Sequence, residues 1–515
     1  MLLAALLVAA PFVSASICDD SGDVVIFGGT VCGVTAATAV HRTDPSAKVL
    51  WLVNGSRLGG MTSGGLGGVD GGSHILGGIA AELFAPFGSA VTPSFAEAAV
   101  GALLPPAVQL VKNTGWLASV ETSGSPRRIQ SLTTLQGKTY CGKVFVDCSY
   151  EGDLLVLSGT RSTYGRESIA AYGESLAGTD AGGFANRSAT ELPFNNKSIG
   201  EKQMWFSEDV SPWVDPTKNK TLLPSIVRVF EDDEIGGRAD RKVMSFCFRM
   251  CLTSNATNAI AIEAPPGYTR ASLELLRREL ISVTKKRKLV LNMHSLFLIR
   301  SLPEDKIDLN SGQWTAEPGD GGFFPFSTDL PFAQNVGEGG WSRGDAATRA
   351  SIFAAHKWWT QALLYYLGND AELETLQPGL VKEVKAYGLC GDEYPGSLDH
   401  WTPQLYAREA NRLVGAVVLT QDSVCHPRRV KTSVGLSEWA VDIHAVERVA
   451  ALVNGSWRVF NAGGRDTGRL KISTCPGGIV EVPYEAIIPQ YDFCFSWSFM
   501  TEFFIKCNYD YMYYD

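Results

Sequence analysis

The 515-residue sequence lacks several patterns that identify whole classes of protein. It contains no C-x-x-C pair and no ligand spacing suited to zinc, so a metal site is not predicted. It has no long block of like charge and a net charge of −9, which argues against a nucleic-acid partner. No apolar run is long enough to span a bilayer. The remaining composition, 45% hydrophobic with 53 glycines, is typical of a large globular α/β protein.

The cysteines also fail to form a compact disulfide framework. There are eleven of them, scattered along the chain. Some disulfides are compatible with this distribution, and the odd number leaves at least one thiol unpaired or shared between chains. The sequence leaves the pairing and the oligomeric state open.

The beginning of the chain is apolar and is followed by small residues at Val13, Ser14 and Ala15. This pattern predicts a secretory signal peptide over residues 1–15, although no lysine or arginine precedes the apolar run. An apolar N-terminal strand is the alternative. Six Asn-x-Ser/Thr sequons are compatible with a glycoprotein that is secreted or resides in the lumen of the secretory pathway. They begin at Asn54, Asn186, Asn196, Asn219, Asn255 and Asn454.

The most informative motif is a β-branched run, Asp23–Phe27, that ends on glycines and continues directly into a helix of small residues. Such a turn points backbone N–H groups and a helix N-terminus at one place, which suits a pyrophosphate. Gly28, Thr30 and Gly33 occupy the glycine positions of G-x-G-x-x-G, so the middle glycine is absent. The surrounding strand and helix favour a dinucleotide site, with an ordinary βα turn as the alternative. We expect Gly29 to bind the cofactor with these three residues.

Residues 48–53 predict a second buried strand, which completes a βαβ unit. Dinucleotide sites usually carry an acidic residue at the end of this strand, where it binds the ribose hydroxyls. Val53 and Asn54 stand there instead, so Asn54 is expected to bind the ribose without bringing a charge. Because a glycan on Asn54 would collide with a cofactor, we expect this sequon to be unglycosylated.

A glycine-rich stretch at 57–68 follows the second strand. Glycine at this density lets the backbone approach a ligand closely. A flexible linker is the alternative, but linkers rarely carry residues such as Arg57 and Met61 between the glycines. We expect Arg57, Gly59, Gly60 and Met61 to lie along the cofactor.

The sequence predicts four further segments in the rest of the chain. A strand at 143–148 runs into small polar residues and glycine, as a parallel sheet requires near its ligand edge. Residues 346–367 predict an amphipathic helix, with His356 in the core, and a second helix is expected after Pro403. Residues 180–345 are rich in polar residues, proline and glycine, and we interpret them as an outer lobe on the substrate side.

Several segments together resemble the FAD-dependent oxidoreductases of the glutathione-reductase-like superfamily, in particular the family that includes xanthan-lyase-associated members. The resemblance covers about residues 23–490, and the combination of motifs carries it, because none is specific alone. The motifs are VIFGGT (25–30), LGGMT (58–62), FVDCSYEGDL (145–154), YGRE (164–167), YGES (172–175), PQLYAREA (403–410), SVGL (433–436), DIH (442–444) and VPYEAIIP (482–489).

This resemblance implies an α/β fold, in which a Rossmann-like FAD-binding domain (a parallel sheet with helices) is joined to a mixed α+β substrate lobe. FAD would lie across the first βα turn, with the adenine half beside Cys148, Ser149 and Gly152. Cys148 stands where the family has alanine, a mild change if the cysteine behaves as a small apolar residue. The expected segments are a signal peptide (1–15), the FAD-binding domain (16–165 and 401–490), a substrate or cap lobe (166–400) and a C-terminal tail (491–515).

The tail departs from the resemblance, which implies a glycine-rich strand and helix after Pro489. Eleven of the 25 residues at 491–515 are aromatic, and none is Gly, Ala, Leu, Val or Arg. A shifted reading frame or a retained intron is the favoured interpretation, and a natural aromatic cap is the alternative. If the tail is genuine, we expect the flavin site to lack one wall.

The expected chemistry is hydride transfer from a small hydroxylated organic substrate to FAD, with a side chain accepting the proton. A carboxylate beside an imidazole, as in Asp442-x-His444, would raise its basicity. Structural hydrogen bonds are the alternative role for each candidate. Arg166 and Arg408 are candidates for holding an anion, or are ion-paired scaffold. The candidate bases are His74, Glu167, Asp442 and His444.

The expected electron acceptor is inferred from the lack of a second nucleotide-binding motif. No further strand–G-x-G-x-x-G–helix that would hold NAD(P)H occurs, so O₂ or another external acceptor is expected. Two other classes of function stay open: a hydratase or isomerase that keeps FAD as a structural element, and a binding protein that has lost FAD with the C-terminal wall.

Overall fold

The computed structural model describes residues 17–68, 77–175, 177–179, 205–231, 234–312, 314–315, 322–323, 325–395, 398–437, 444–463, 480–488 and 496–498. The predicted signal peptide, the sequons at Asn186 and Asn196 and the candidate bases His74 and Asp442 lie outside the described residues, as does most of the tail. No helix in the described part of the chain is long and apolar enough to cross a membrane.

The first sheet contains the strand–turn–helix motif. Its first six strands are β1 (Asp20–Phe27), β2 (Val49–Leu52), β3 (Gln109–Val111), β4 (Leu117–Ser123), β5 (Arg128–Thr134) and β6 (Thr139–Asp147). The strand order is β3-β2-β1-β6-β5-β4. The pairs β1–β2, β1–β6 and β2–β3 are parallel, whereas β4–β5 and β5–β6 are antiparallel. Because β1 and β2 are central strands, their apolar runs are buried on both faces, as parallel strands require. The predicted βαβ unit is confirmed.

Helices cover one face of this sheet. They are α1 (Val31–Thr43), α2 (Gly78–Phe84) and α3 (Pro93–Leu103). Their apolar residues form a core cluster with Ile26, Val49 and Trp51 of the sheet. On the opposite face, Val25 and Leu50 pack with residues of β4 and β5. This is the two-layer packing of an α/β domain, and it fixes the β1–α1 turn at the carboxyl edge of the parallel strands.

Apart from β21, the remaining strands form smaller sheets, of which the largest is antiparallel with the order β10-β15-β9-β12-β11. In chain order the strands are β7 (Ser162–Thr163), β8 (Arg228–Val229), β9 (Met250–Thr253), β10 (Ala259–Ile260), β11 (Phe297–Leu302), β12 (Lys306–Gly312), β13 (Trp314–Thr315), β14 (Gly322–Phe323), β15 (Gly388–Cys390), β16 (Arg412–Leu413), β17 (Ser433–Ser437), β18 (Glu447–Val453), β19 (Ser456–Ala462), β20 (Val480–Pro483) and β21 (Ser496–Ser498).

The last of these strands, β21, lies in the aromatic tail. It pairs in parallel with the carboxyl half of β6, at Phe145–Asp147. The other half of the same β6 edge pairs with β5, at Thr139–Cys141. Three residues of the tail therefore extend the parallel part of the first sheet, at the position where the family resemblance implied a closing strand.

The largest core cluster, which from here on defines the outer lobe, contains residues from Phe206 to Val459 and takes in most of the other helices. Helix α9 confirms the predicted helix at 346–367, and apolar residues such as Ile352 and Leu363 bury it in that core. Trp401 and Val459 belong to the same cluster, so the chain after residue 400 also packs in this lobe. The helices are α4 (Asp153–Leu157), α5 (Ile169–Tyr172), α6 (Glu274–Lys285), α7 (Met293–Leu296), α8 (Gly340–Arg343), α9 (Ala346–Asn369), α10 (Ala371–Leu376), α11 (Pro378–Lys385) and α12 (Gln421–Cys425).

The predicted core position of His356 is confirmed, because its side chain is fully buried on α9. Its Nδ1 lies 2.8 Å from the carbonyl oxygen of Ile352. Burial lowers the pKa of the imidazole to about 4, so it is neutral at physiological pH. His356 is a structural residue.

The predicted helix after Pro403 is wrong. The chain is non-helical here, and the backbone N–H of Tyr406 donates to the carbonyl oxygen of Cys247, at 2.9 Å. Leu405 and Ala407 are both buried, which is the two-residue period of an extended chain. Tertiary pairing has overridden the local apolar pattern.

Candidate functional site

The turn between β1 and α1 requires glycine at its first position. Gly28 has φ +118°, and a Cβ there would lie 2.3 Å from the carbonyl group of Cys148. Gly33 lets α1 approach β2, since its Cβ would lie 2.3 Å from Nε1 of Trp51. The indole N–H of Trp51 in turn donates to the carbonyl oxygen of Gly28, at 2.8 Å. The two glycines thus allow the tight turn and the close helix–strand packing that dinucleotide sites use.

Thr30 stands at the position of the missing middle glycine and caps α1. Its hydroxyl accepts from the backbone N–H of Cys32, at 3.2 Å, and donates to the carbonyl oxygen of Cys148, at 2.8 Å. The side chain is therefore held by protein groups and is only 7% exposed. The threonine cap therefore occupies one N–H group of the helix N-terminus that a glycine would leave to an anion.

A cleft of about 260 Å³ lies over this turn. It is smaller than pockets that enclose a drug-sized ligand, so it would hold only part of a dinucleotide. Seven of the twelve predicted cofactor-binding residues line it, and they come from the turn, the end of β2, the glycine-rich stretch and the segment after β6. These seven are Gly28, Gly29, Thr30, Asn54, Arg57, Gly60 and Ser149.

The other five predicted residues support the cleft and do not line it. Gly33 packs against β2, and the N–H of Gly59 donates to the carbonyl oxygen of Gly29, at 2.7 Å. The N–H of Met61 donates to the hydroxyl of Tyr150, at 2.7 Å. Gly152 donates its N–H to the hydroxyl of Ser149, at 3.0 Å, and begins α4 with φ +72°. The fifth is Cys148.

Cys148 differs from the expectation of a small, unpaired apolar residue. It forms a disulfide with Cys32 in the first turn of α1. Cys148 precedes Ser149, which lines the cleft, and the N–H of Cys32 donates to the capping residue Thr30. A second disulfide, Cys18–Cys141, joins the chain before β1 to β6. The first disulfide ties the helix N-terminus to the segment after β6. Sequence reasoning missed it because the two cysteines are 116 residues apart.

The glycine-rich stretch is an ordered loop and not a flexible linker. Its glycines are needed because other protein segments approach them: a Cβ on Gly60 would lie 2.4 Å from the hydroxyl of Tyr150, and one on Gly64 would lie 2.5 Å from the side chain of Gln404. The hydroxyl of Thr402 donates to the carbonyl oxygen of Gly64, at 2.6 Å. The loop therefore joins the first sheet to the segment around 402–405.

Two buried donors at the cleft have no acceptor in the described part of the chain. They are Nε of Arg57 and the indole Nε1 of Trp341, both on residues that line the cleft. The other end of Arg57 is held by Glu97, at 3.0 Å, and lies over the ring of Tyr394. FAD is rich in acceptor atoms, namely its phosphate, ribose and flavin oxygens. The orphaned donors, the helix N-terminus and Asn54 fit such a ligand.

Glu151 is a cleft residue to which sequence reasoning gave no role. It is 4% exposed, and it follows Tyr150 in the loop that ends β6. Burial raises the pKa of its carboxyl group to about 7, although attraction to Arg349 works in the opposite direction. The carboxyl group therefore changes protonation near neutral pH beside the candidate cofactor site.

The loop that carries Glu151 is fixed by Asp147, which is fully buried at the end of β6. Its carboxylate accepts from the N–H and hydroxyl of Ser149, at 3.0 and 2.6 Å, and from the N–H of Leu155, at 3.0 Å. Burial raises the pKa of Asp147 to about 6, partly offset by these hydrogen bonds. The loop geometry thus depends on one buried carboxyl group.

His444 is the predicted base that the structure places in a suitable environment. Its Nδ1 lies 2.7 Å from Oδ2 of Asp329, which also forms an ion pair with Arg408, at 3.0 Å. Burial disfavours the charge on Asp329, but attraction to Arg408 and His444 outweighs it and holds the pKa of Asp329 at about 2. Because an ionised carboxylate only accepts hydrogen bonds, Nδ1 carries the proton and Nε2 is the basic nitrogen.

This cluster is connected to the cleft by one short segment. Gln404 and Leu405 line the cleft, and Arg408 follows three residues later. Three residues span at most about 11 Å, so the Cα atoms of Leu405 and Arg408 are no farther apart than this. Sequence reasoning expected Asp442 beside His444, and Asp442 lies outside the described residues, so that expectation stays a prediction. The structure adds Asp329, which is 115 residues away and which no local pattern indicates.

The other candidates that the structure describes form ion pairs. Glu167 contacts Arg412, at 2.6 Å, and Arg166 forms an ion pair with Asp240. Arg408 is also ion-paired, through Asp329, and it is 4% exposed. Of the alternatives left open for the two arginines, the structure shows ion pairing for both.

The fold and the cleft define a dinucleotide-binding α/β protein, with the ligand at the carboxyl edge of a parallel sheet. The sequence model of the family described as "FAD dependent oxidoreductase" matches residues 23–493. The chain belongs to this family, and FAD is its cofactor. A comparison with curated proteins found no significant match.

Solved structures give only partial likeness. Cyclohexanone monooxygenase from Rhodococcus sp. Phi1 bound to NADP+ matches with 14% identity and TM-score 0.20, over 25% of this chain and 25% of that chain. Glycine oxidase from Geobacillus kaustophilus matches with 14% identity and TM-score 0.22, over 28% and 59%. L-proline dehydrogenase from P. horikoshii matches with 15% identity and TM-score 0.19, over 30% and 26%. Each alignment covers less than two thirds of the solved chain, and the family assignment rests on the sequence match alone.

Proposed function

We propose that the chain is a secreted FAD-dependent oxidoreductase that takes hydride from a small hydroxylated organic substrate and passes the electrons to O₂ or another external acceptor. One observation carries the proposal: Leu405 lines the cleft over the β1–α1 turn, and Arg408, three residues later, forms an ion pair with Asp329, the hydrogen-bond partner of His444. This connection supports His444 as the base that serves the candidate cofactor site.

The chemistry divides between the cofactor and the chain. FAD supplies a two-electron acceptor when it is bound. The helix N-terminus, Asn54 and Arg57 would hold its polar groups at the cleft. As hydride leaves a C–H bond of the substrate, Nε2 of His444 would accept the proton from the adjacent hydroxyl group. Asp329 would stabilise the resulting imidazolium and keep the ring in one tautomer.

Secretion is supported by the cysteine chemistry. The structure contains the disulfides Cys18–Cys141 and Cys32–Cys148, and disulfides persist in oxidising compartments. The exposed sequons at Asn255 and Asn454 are compatible with the same route.

The test combines a substrate screen with one substitution. Wild-type protein is incubated in air with a panel of sugars and sugar alcohols, and hydrogen peroxide is measured. With an active compound, H444Q should lower kcat by about 10²–10⁴-fold without loss of bound flavin, because it removes the base and not the cleft. Turnover that requires NADPH, or flavin that never changes redox state with any compound of the panel, would contradict the proposal.

The chain offers a matched control on its surface. His426 forms an equivalent contact with Asp422, at 2.9 Å between Nδ1 and Oδ1, but both side chains are more than half exposed. H426Q should leave kcat unchanged. Equal losses in H444Q and H426Q would mean that substitution of a paired histidine damages the protein in general.

A further inference from the structure

Cys251 and Cys390 are opposite each other on two neighbouring strands of the largest antiparallel sheet. The register pairs Thr253 with Gly388 and Leu252 with Leu389, so the next pair along β9 and β15 is Cys251 with Cys390. Directly opposite residues in antiparallel strands have Cα atoms about 4.5–5.5 Å apart. This separation falls within the range of about 4.4–6.8 Å that a disulfide spans.

The two side chains also point at each other. Their sulfur atoms are 2.8 Å apart, and both cysteines are buried, with 3% and 1% of their surface exposed. They share a small apolar cluster with Leu302 and Tyr394. No backbone movement is needed to bring the sulfurs within reach of a bond.

We infer that Cys251 and Cys390 form a further structural disulfide when the chain folds in an oxidising compartment. It joins positions 139 residues apart in sequence and fastens β15 to β9 within the outer lobe. This inference goes beyond the proposed function, since it concerns the covalent structure of the lobe and not the flavin chemistry.

The reaction is thiol–disulfide exchange with a disulfide oxidant, either a protein disulfide or a low-molecular-weight one such as oxidised glutathione. One cysteine thiolate attacks the oxidant and releases one of its thiols; the second thiolate then attacks the mixed disulfide and releases the other. Two protons and two electrons leave the cysteine pair, and the oxidant becomes two thiols. The neighbouring sulfur of Cys390 and burial raise the pKa of Cys251, which disfavours the thiolate in the closed sheet, so the exchange belongs to folding before the sheet closes.

Cys247 provides an internal control four residues away. It is buried and unpaired, and its sulfur lies 3.2 Å from Nη2 of Arg408. It should remain a thiol in the same molecule. Trypsin cleaves after Lys242, Arg249 and Arg270, so Cys247 and Cys251 fall on separate peptides, 243–249 and 250–270. Cys390 falls on a third peptide, 386–408.

The experiment uses the full chain, directed into the secretory pathway of a host by a heterologous leader. The protein is denatured with an alkylating agent and no reductant, deglycosylated because Asn255 lies on peptide 250–270, and digested. Mass spectrometry should find 250–270 joined to 386–408 and lighter by two hydrogens than their sum, with 243–249 alkylated. Reduction should separate the joined peptides.

Alkylated 250–270 and 386–408 before reduction would overturn the inference, as would either peptide joined to a different cysteine. The flavin content of the same preparation is recorded separately. A colourless protein that contains the disulfide supports this inference and contradicts the proposed function, so the two can fail independently.

Discussion

At the scale of single residues, Glu151 should make the protein sensitive to pH. Its pKa is raised to about 7 by burial, above the ordinary value of 4.5, so the folded state binds a proton that the unfolded state has lost. Its protonation therefore favours the folded state at low pH, and this advantage is lost as the pH rises from about 4.5 through 7. The cost at pH 8 is on the order of 3 kcal/mol for a shift of this size.

Glu151→Gln removes this ionisation, so the stability of the flavin-free variant should fall less between pH 5 and pH 8 than that of wild type. Urea denaturation at both pH values measures the difference. Glu279→Gln is the control, because burial also raises the pKa of Glu279 to about 7, on α6 and away from the cleft residues. Both variants should flatten the pH profile of stability, but only E151Q should change the pH dependence of FAD affinity. If the pH dependence of both stability and FAD affinity were the same in E151Q as in wild type, this description of the cleft would be contradicted.

At the scale of elements, the packing of α1 on β2 decides the shape of the cofactor turn. Gly33→Ala should destabilise the protein by about 1–3 kcal/mol and weaken FAD retention, since the added Cβ would lie 2.3 Å from Trp51 and 2.6 Å from the carbonyl oxygen of Gly28. Thermal unfolding and the amount of flavin lost on gel filtration measure the two effects.

A matched glycine lies in the neighbouring helix. Gly101 is in α3, and a Cβ there would meet nothing within 4 Å. Gly101→Ala should therefore be neutral or stabilise by up to about 1 kcal/mol, because alanine is the better helix former. If G33A retained flavin as well as G101A, the close approach of α1 to β2 would not be needed for the site.

The elements around this turn are also those that the sequence predicts correctly. Strand β1, helix α1 and strand β2 follow from local patterns, namely a β-branched run, a glycine turn and a second apolar run. The helix expected after Pro403 failed because contacts with the segment at Cys247 override a local apolar pattern. Likewise, the Asp329–His444 pair and the Cys32–Cys148 disulfide join residues more than 100 positions apart. Contacts between such distant residues produce no local sequence motif, so the sequence alone does not predict them.

At the scale of the whole molecule, glycosylation should report which surface the cofactor covers. Asn54 is half-buried and lines the cleft, whereas Asn255 and Asn454 are exposed in turns. In protein from a secretory host, glycopeptide mapping should find Asn255 and Asn454 glycosylated and Asn54 unmodified. Full occupancy at Asn54 would contradict its assignment to the ribose, because a glycan would fill the space over the β1–α1 turn.

The aromatic tail also affects whether the first domain can hold FAD. It contributes β21 to the sheet that carries the β1–α1 turn. Because β21 extends the parallel part of this sheet, we expect the domain to hold FAD despite the unusual composition of the tail.

The visible absorption spectrum of the purified protein, recorded before and after unfolding, tests the central claim most directly. The chain should show flavin bands in the folded state, and these should shift to those of free FAD when the protein unfolds. A folded protein that stays colourless, even after incubation with FAD, would contradict the claim that the cleft over the β1–α1 turn holds this cofactor.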